Sequence, residues 1–233
     1  MIRINFVSAL ILSGVLAAAP CAFADSIPVF NTGVDASGNA LAAGTADSHY
    51  TLVSPTGDGY IATAVINNSA WLPDTPTASW ISPGGTNGNT DNWPSTAPYD
   101  YQTDFSLAGF LDNTATLTIQ WTSDNDSTLL LNGVAVGGVG FPGYGPGSLV
   151  TVTLTSGFDA GNNTLDFIVN NGYSQGYTYP NPTGLLVDDI SLTASSVGSP
   201  QATPSVPEPS SLLLLGTGLL GACGIMRRQI VRS

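Results

Sequence analysis

The chain of 233 residues contains no lysine, and its four arginines, Arg3, Arg227, Arg228 and Arg232, lie near the two ends. Between them stand fifteen aspartates and a single glutamate, Glu208, for a formal net charge of −12 at pH 7. Everything from Ile4 to Met226 therefore lacks a fixed positive charge. Such a surface cannot neutralise phosphates or release counterions, which excludes nucleic-acid binding. Attraction to anionic lipid head groups is excluded on the same ground. With no Lys or Arg to pair with, each Asp must be solvated, hydrogen-bonded or bound to a cation. Cysteine is nearly as scarce: only Cys21 and Cys223, both in the terminal segments. The region between has no disulfide staple and, with His49 its only histidine, no set of zinc ligands. His49 lies in Asp47-Ser48-His49-Tyr50, with no nucleophile-elbow sequence nearby, and is expected at the surface. No motif marks a catalytic carboxylate pair. Gly137-Gly138-Val139-Gly140 lacks the Lys and the helix of a phosphate loop. The expectation is a protein without catalytic activity.

The two ends carry the clearest signals. Arg3 supplies a basic n-region, Phe6 to Ala19 an apolar h-region, and Ala22-Phe23-Ala24 a small-x-small site before Asp25. This is a secretory signal peptide, expected to be taken by the Sec translocon and cut between Ala24 and Asp25. Pro20, where a lipobox needs a small residue, argues against lipidation of Cys21. At the other end, Val206-Pro207-Glu208-Pro209 precedes an apolar run from Leu212 to Met226, followed by Arg227, Arg228 and Arg232. A helix over that run spans only about 22 Å, short of the roughly 30 Å hydrocarbon core. Its glycines soften it further. It suits a transient anchor, held with its arginines on the cytoplasmic side. An acidic Pro-bracketed motif, a short apolar segment and a basic end, in that order, resemble the PEP-CTERM sorting signal of exported Gram-negative bacterial proteins. The resemblance implies processing near Pro207-Glu208-Pro209 by an exosortase, an inner-membrane protease, and release to the cell surface or beyond.

These segments leave three expected parts: 1–24 signal peptide, 25–205 a folded domain, and 206–233 the sorting tail with its transmembrane segment. The middle part is long enough for one hydrophobic core. Rich in Gly and Pro, with most of the chain's 27 Gly and 16 Pro, and with no apolar residues at helical spacing, it is expected to be all-β. Leu117, Ile119 and Trp121 alternate with Thr116, Thr118 and Gln120. Val150, Val152 and Leu154 alternate with Thr151, Thr153 and Thr155, and Leu165, Phe167 and Val169 keep the same period; Ile61 to Ile66 is a shorter run. Asn132-Gly133 between two apolar runs predicts a type I′ hairpin. One-sided alternation with threonine outside fits an antiparallel β-sandwich. From Asp104-Phe105-Ser106-Leu107 through the acidic turn at Asp124 to Gly161-Asn162-Asn163-Thr164-Leu165 and Asn181-Pro182-Thr183-Gly184-Leu185, the order of segments resembles the galactose-binding-like jelly-roll modules of secreted glycosidases and cell-surface proteins. The stretch before Tyr101 matches no pattern.

Candidate ligand sites follow from composition. Trp71, Trp80, Trp93, Tyr99 and Tyr101 fall in a Pro/Gly-rich stretch, and Tyr173, Tyr177 and Tyr179 in the loop from Asn170 to Gly184. Rings in such loops either stack on sugar faces or cap the sandwich core. The Tyr loop is the better sugar candidate, because Asn170, Asn171 and Asn181 flank it with donors and acceptors. Asp124, Asn125 and Asp126 form an oxygen-rich turn, and Asp188-Asp189 breaks the alternation of a late strand; hard cations take such ligands, so these acids are either simply solvated or hold structural calcium. Jelly-roll modules of the resembled kind often hold calcium. Two functions remain: a carbohydrate-binding module, with the producer's own exopolysaccharide as partner, or a structural surface or biofilm-matrix protein without a specific ligand. Anionic polymers are expected to be repelled unless divalent ions bridge them.

Overall fold

The computed structural model describes residues 24–55, 61–65, 69–84, 92–95, 97–172, 175–198 and 215–218. Phe23–Val197 forms one compact unit. Among the described residues it is built from strands β1 (Asp25–Ile27), β2 (Thr51–Ser54), β3 (Thr63–Ala64), β4 (Ile81–Ser82), β5 (Tyr99–Ser106), β6 (Thr116–Asp124), β7 (Ser127–Leu131), β8 (Val134–Val139), β9 (Val150–Leu154), β10 (Asn162–Val169) and β11 (Gly184–Ala194). They form two antiparallel sheets, β3-β4-β11-β6-β9 and β2-β5-β10-β7-β8, with β1 also pairing to β11. From β4 onward the chain crosses between sheets at every step except the β7–β8 hairpin, the alternation of a jelly roll.

The alternation in the sequence explains the packing. Leu117, Ile119 and Trp121 of β6 point inward with Leu185, Val187 and Leu192 of β11, against Tyr99, Tyr101 and Phe105 of β5 and Leu165, Phe167 and Val169 of β10. Burying each such side chain contributes about 1.5–3 kcal/mol relative to leaving it exposed. The threonines of β6 and β9 lie on the other face, where the Thr118 and Thr153 hydroxyls meet at 3.2 Å. Asn132 and Gly133 take the two positive φ angles of a type I′ turn, 51° and 78°. The Asn132 side chain then donates to Asn163 Oδ1 (2.8 Å) and accepts from the Thr164 amide (3.0 Å). Asn163, fully buried, also accepts from the Asp159 amide and donates to the carbonyls of Asp159 and Gly161. The Gly-Asn-Asn-x-Leu loop is thus a polar staple between the β7–β8 turn and the start of β10.

The region before Tyr101 supplies much of this core. Tyr50, Leu52, Ile81, Tyr99 and Tyr101 are buried in it. Trp71 and Trp80 are also buried, but on the outer face of the first sheet, where with Val65 and Ala78 they cover Leu186. Gly184 makes this possible, since a Cβ there would meet the Ile81 carbonyl at 2.8 Å and the Trp71 ring at 3.0 Å. Of the run from Ile61 to Ile66, only Thr63–Ala64 pairs as a strand, and Ile66 lies outside the described residues. His49 is not at the surface. Its side chain is 12% exposed, stacked on Phe30 at 3.7 Å with Nδ1 3.5 Å from Asp47 Oδ1, so one Asp does have an ionic partner when this histidine is protonated.

Asp25 opens β1 opposite Ala194 and accepts from the Ser196 hydroxyl at 2.8 Å; Ala24 before it is exposed. Ala22 and the tail residues Val206, Pro207, Glu208, Pro209, Arg227 and Arg228 lie outside the described residues. Residues 215–218 form a helical turn, and among the described residues no helix is long and apolar enough to cross a membrane.

Candidate functional site

Four loops meet at the end of the sandwich where β6 stops. Asp124 ends β6 opposite Gly184 of β11 and forms a bridge with Gly143 from the β8–β9 loop. Gly143 has φ of 72°, and a Cβ there would collide with the carbonyl oxygens of Ser123 and Asn125, so only glycine lets the two loops pack this closely. The Asn125 amide donates to the Asn170 carbonyl (2.9 Å) and the Asn170 amide to the Asp126 carbonyl (2.8 Å), tying the turn to the end of β10. Trp71, from the β3–β4 connection, donates its indole N–H to Asp124 Oδ2 at 2.7 Å. The Thr183 hydroxyl donates to the Asp124 carbonyl.

The Tyr loop closes the fourth side. Gly172, with φ of 68°, accepts at its carbonyl from the Gln175 and Tyr177 amides, and the Tyr177 ring packs where a side chain at 172 would stand. Tyr177 and Tyr179 stack with centroids 5.4 Å apart and planes 20° apart, and Phe141 meets Tyr177 edge-on at 6.1 Å. The Ser95 hydroxyl holds the Tyr179 carbonyl at 2.9 Å, while the Tyr179 side chain is 59% exposed.

The result is a cleft of about 220 Å³ lined by Trp71, Phe141, Tyr144, Tyr177, Tyr179 and Asn181 around a floor of Asp124 and Asn125. Asp124 and Asn125 are only 6% and 5% exposed, and the Oδ1 atom of each has no hydrogen-bond partner. Burial pushes the Asp124 carboxyl up to about 7, against the Trp71 indole N–H, which pulls it down. Desolvation disfavours the charged form here because no cation balances it.

Two sets of residues that the sequence suggests for different ligands, the Asp124-Asn125 turn and the Tyr177/Tyr179 pair, share this one cleft. Tyr173 lies outside the described residues. Asn171 is buried and does not line the cleft; its amide group donates to the carbonyls of Trp93 (2.8 Å) and Asn181 (3.1 Å), so it staples the loop. Asp126 accepts from the Asn170 side chain at 3.0 Å. Asp188 is half-buried and Asp189 exposed, at a bulge in β11 where Asp189 has φ of 57°, four and five residues along the strand from Gly184. The five oxygen donors proposed for calcium are therefore not gathered in one place. Among the described residues no group of three or more His, Cys, Asp or Glu can hold a metal ion. At the turn, Asp124 Oδ1 and Asn125 Oδ1 are two free oxygens against the six to eight that calcium takes. Phe141 and Tyr144 escape sequence reasoning, although the Gly/Pro-dense loop that holds them, Gly140 to Gly147, is a visible loop signal. On the outer face of the second sheet, Asp100 is pushed up to about 6 by burial and by Asp166, which accepts from Gln102 Nε2 at 2.7 Å.

No curated protein matches the chain. Among solved structures it is similar to a family 35 carbohydrate-binding module from an environmental isolate, at 14% identity over 64% of this chain and 98% of that one, with a TM-score of 0.31. It is similar to a Stig cyclase, Fisc, from Fischerella sp. TAU, at 14% identity over 75% of this chain and 100% of that one, with a TM-score of 0.41. A family 29 carbohydrate-binding module, the Y46A mutant of CBM29-2, gives 15% identity over 64% and 91%, with a TM-score of 0.31. These likenesses are faint, and none bears on what this chain binds. The tail gives a firmer result: residues 205–229 match the PEP-CTERM protein-sorting motif, which marks the chain as an exported protein.

Proposed function

We propose that this exported protein is a non-enzymatic component of the cell surface or extracellular matrix that binds carbohydrate in the cleft at the end of β6. The Sec translocon carries it across the inner membrane, an exosortase-type protease processes the tail, and the host's own exopolysaccharide is its partner. One observation carries the binding reading: the stacked Tyr177–Tyr179 pair, half-buried at Tyr177 and exposed at Tyr179, stands over a floor in which the buried Oδ1 atoms of Asp124 and Asn125 have no partner among the described residues. The apolar face of a sugar ring stacks on such a ring, while its hydroxyls meet Asn181 and the tyrosine hydroxyls at the rim. At about 220 Å³ the cleft is smaller than the roughly 300–1,000 Å³ of drug-sized pockets, so it suits one sugar unit at a time. Weak binding to a repeating polymer fits that size.

The test is retention on a panel of soluble and insoluble glycans, including the native host's polymer, for wild type and for Tyr177→Ala and Tyr179→Ala. Loss of one stacking ring weakens binding by about 0.5–1.5 kcal/mol, or roughly 2- to 12-fold. If wild type is retained on none of them, the protein is a structural matrix component without a specific ligand.

A further inference from the structure

We infer that the sugar unit this cleft takes carries a protonated amine, so that the ligand is a glycan with free amino groups. This narrows the carbohydrate reading above and rests on it. Among the described residues the cleft is lined by one carboxyl and by no positive charge to match it. Asp124 has, among the described residues, a single side-chain donor, Trp71 Nε1 on Oδ2, and none on Oδ1; Asn125 Oδ1 beside it has none either. The remaining titratable groups on the lining are the phenols of Tyr144, Tyr177 and Tyr179, and Asp126 next in the turn is held by Asn170. Every element around Asp124 thus leaves its charge uncompensated.

The walls favour the same occupant. Trp71, Phe141, Tyr144, Tyr177 and Tyr179 present five aromatic rings around a small space. Ring faces attract cations, most strongly where water is thinned out. A hydroxyl group can supply a donor to the floor, but it brings no charge to offset a buried carboxylate; an ammonium group does both. The whole chain works in the same sense, since a net charge of −12 with no Lys or Arg between Ile4 and Met226 draws in cationic polymers and repels uronate or sulfated ones.

The experiment titrates the protein purified from its host, at neutral pH with chelator present, with four probes: a glucosamine hexamer, the N-acetylglucosamine hexamer, cellohexaose and polylysine. The expected result is that the glucosamine hexamer binds about tenfold more tightly than its acetylated form. Asp124→Asn, which keeps an acceptor for Trp71, should erase that margin, and Tyr179→Ala should weaken both sugars. Should Asp124→Asn fail to fold, the wild-type comparison still decides the matter. Equal affinity for the amino and acetylated hexamers overturns this inference and leaves the carbohydrate reading standing. Binding of no oligosaccharide overturns both. Polylysine binding as tight as the glucosamine hexamer and indifferent to Asp124→Asn also overturns it, because net charge alone then explains the attraction.

Discussion

The buried, cation-free carboxyl of Asp124 predicts an unusual dependence of stability on pH. An aspartate ordinarily titrates at 3.8, and here it is raised to about 7 by burial. Three units at 1.36 kcal/mol each amount to roughly 4 kcal/mol, a ceiling that solvent relaxation lowers. The folded-state value lies above the unfolded one, so the native state binds the extra proton. The contribution is therefore complete below about pH 4 and is lost as pH rises through about 7. Asp100, raised to about 6, and the buried Asp47, raised by desolvation, act in the same direction. The folded domain should thus lose about 2–4 kcal/mol of stability between roughly pH 4 and pH 8, where most proteins gain or hold it. Asp124→Asn removes the charge but keeps an oxygen for the Trp71 indole. It should be more stable than wild type at about pH 8, with a visibly flatter profile. Urea unfolding followed by tryptophan fluorescence across this range, in chelator, measures both. A wild-type profile that is flat or rising, or a variant that falls in parallel with wild type, refutes the reasoning.

Three further outcomes follow from the same geometry. Asn163→Ala removes four side-chain hydrogen bonds, one to Asn132 of the β7–β8 turn and three to Asp159 and Gly161 of the loop before β10, and should cost roughly 2–4 kcal/mol in chemical denaturation while leaving the cleft at the other end of β10 in place. Calcium is the other cation proposed for the free oxygens of Asp124 and Asn125; if it binds there, melting temperature rises in excess calcium over chelator at fixed ionic strength, and Asp124→Asn abolishes the rise. Intact-mass analysis of protein from the native host should give a chain that begins at Asp25 and ends near Pro207-Glu208-Pro209; Arg232 still attached to secreted protein would count against exosortase processing.

How far the sequence carries depends on the element. β6 and β9 are plain in it because apolar residues on one face alternate with threonine on the other, and Leu165, Phe167 and Val169 of β10 keep the same period of two. The Asn132-Gly133 turn is legible for a backbone reason, its two positive φ angles. β5 is harder. Tyr99, Tyr101 and Phe105 alternate with Asp100, Gln102 and Asp104, yet the prolines and tryptophans just upstream make the tyrosines look like loop residues. β3 and β4 pair over two residues each, too short to show any period. The β11 bulge announces itself, since two adjacent acids interrupt an apolar strand at Asp188-Asp189. The cleft was legible only in pieces. Its tyrosines and its acidic turn stand out by composition, but Trp71 reaches Asp124 across 53 residues and the β8–β9 loop joins them through Gly143. Contacts of that range are set by how the two sheets fold over each other, which no local pattern records.

Glycan binding belongs, on this reading, to the cleft walled by Tyr177 and Tyr179. Its most direct test is NMR mapping with a glycan that retains the protein, following the Trp71 indole N–H that bonds to Asp124. Shifts should concentrate at that indole, at Tyr177 and Tyr179, and at the Asn181 side chain. Shifts clustered on the outer face of the second sheet around Asp100 and Asp166, with the Trp71 indole unmoved, would contradict it.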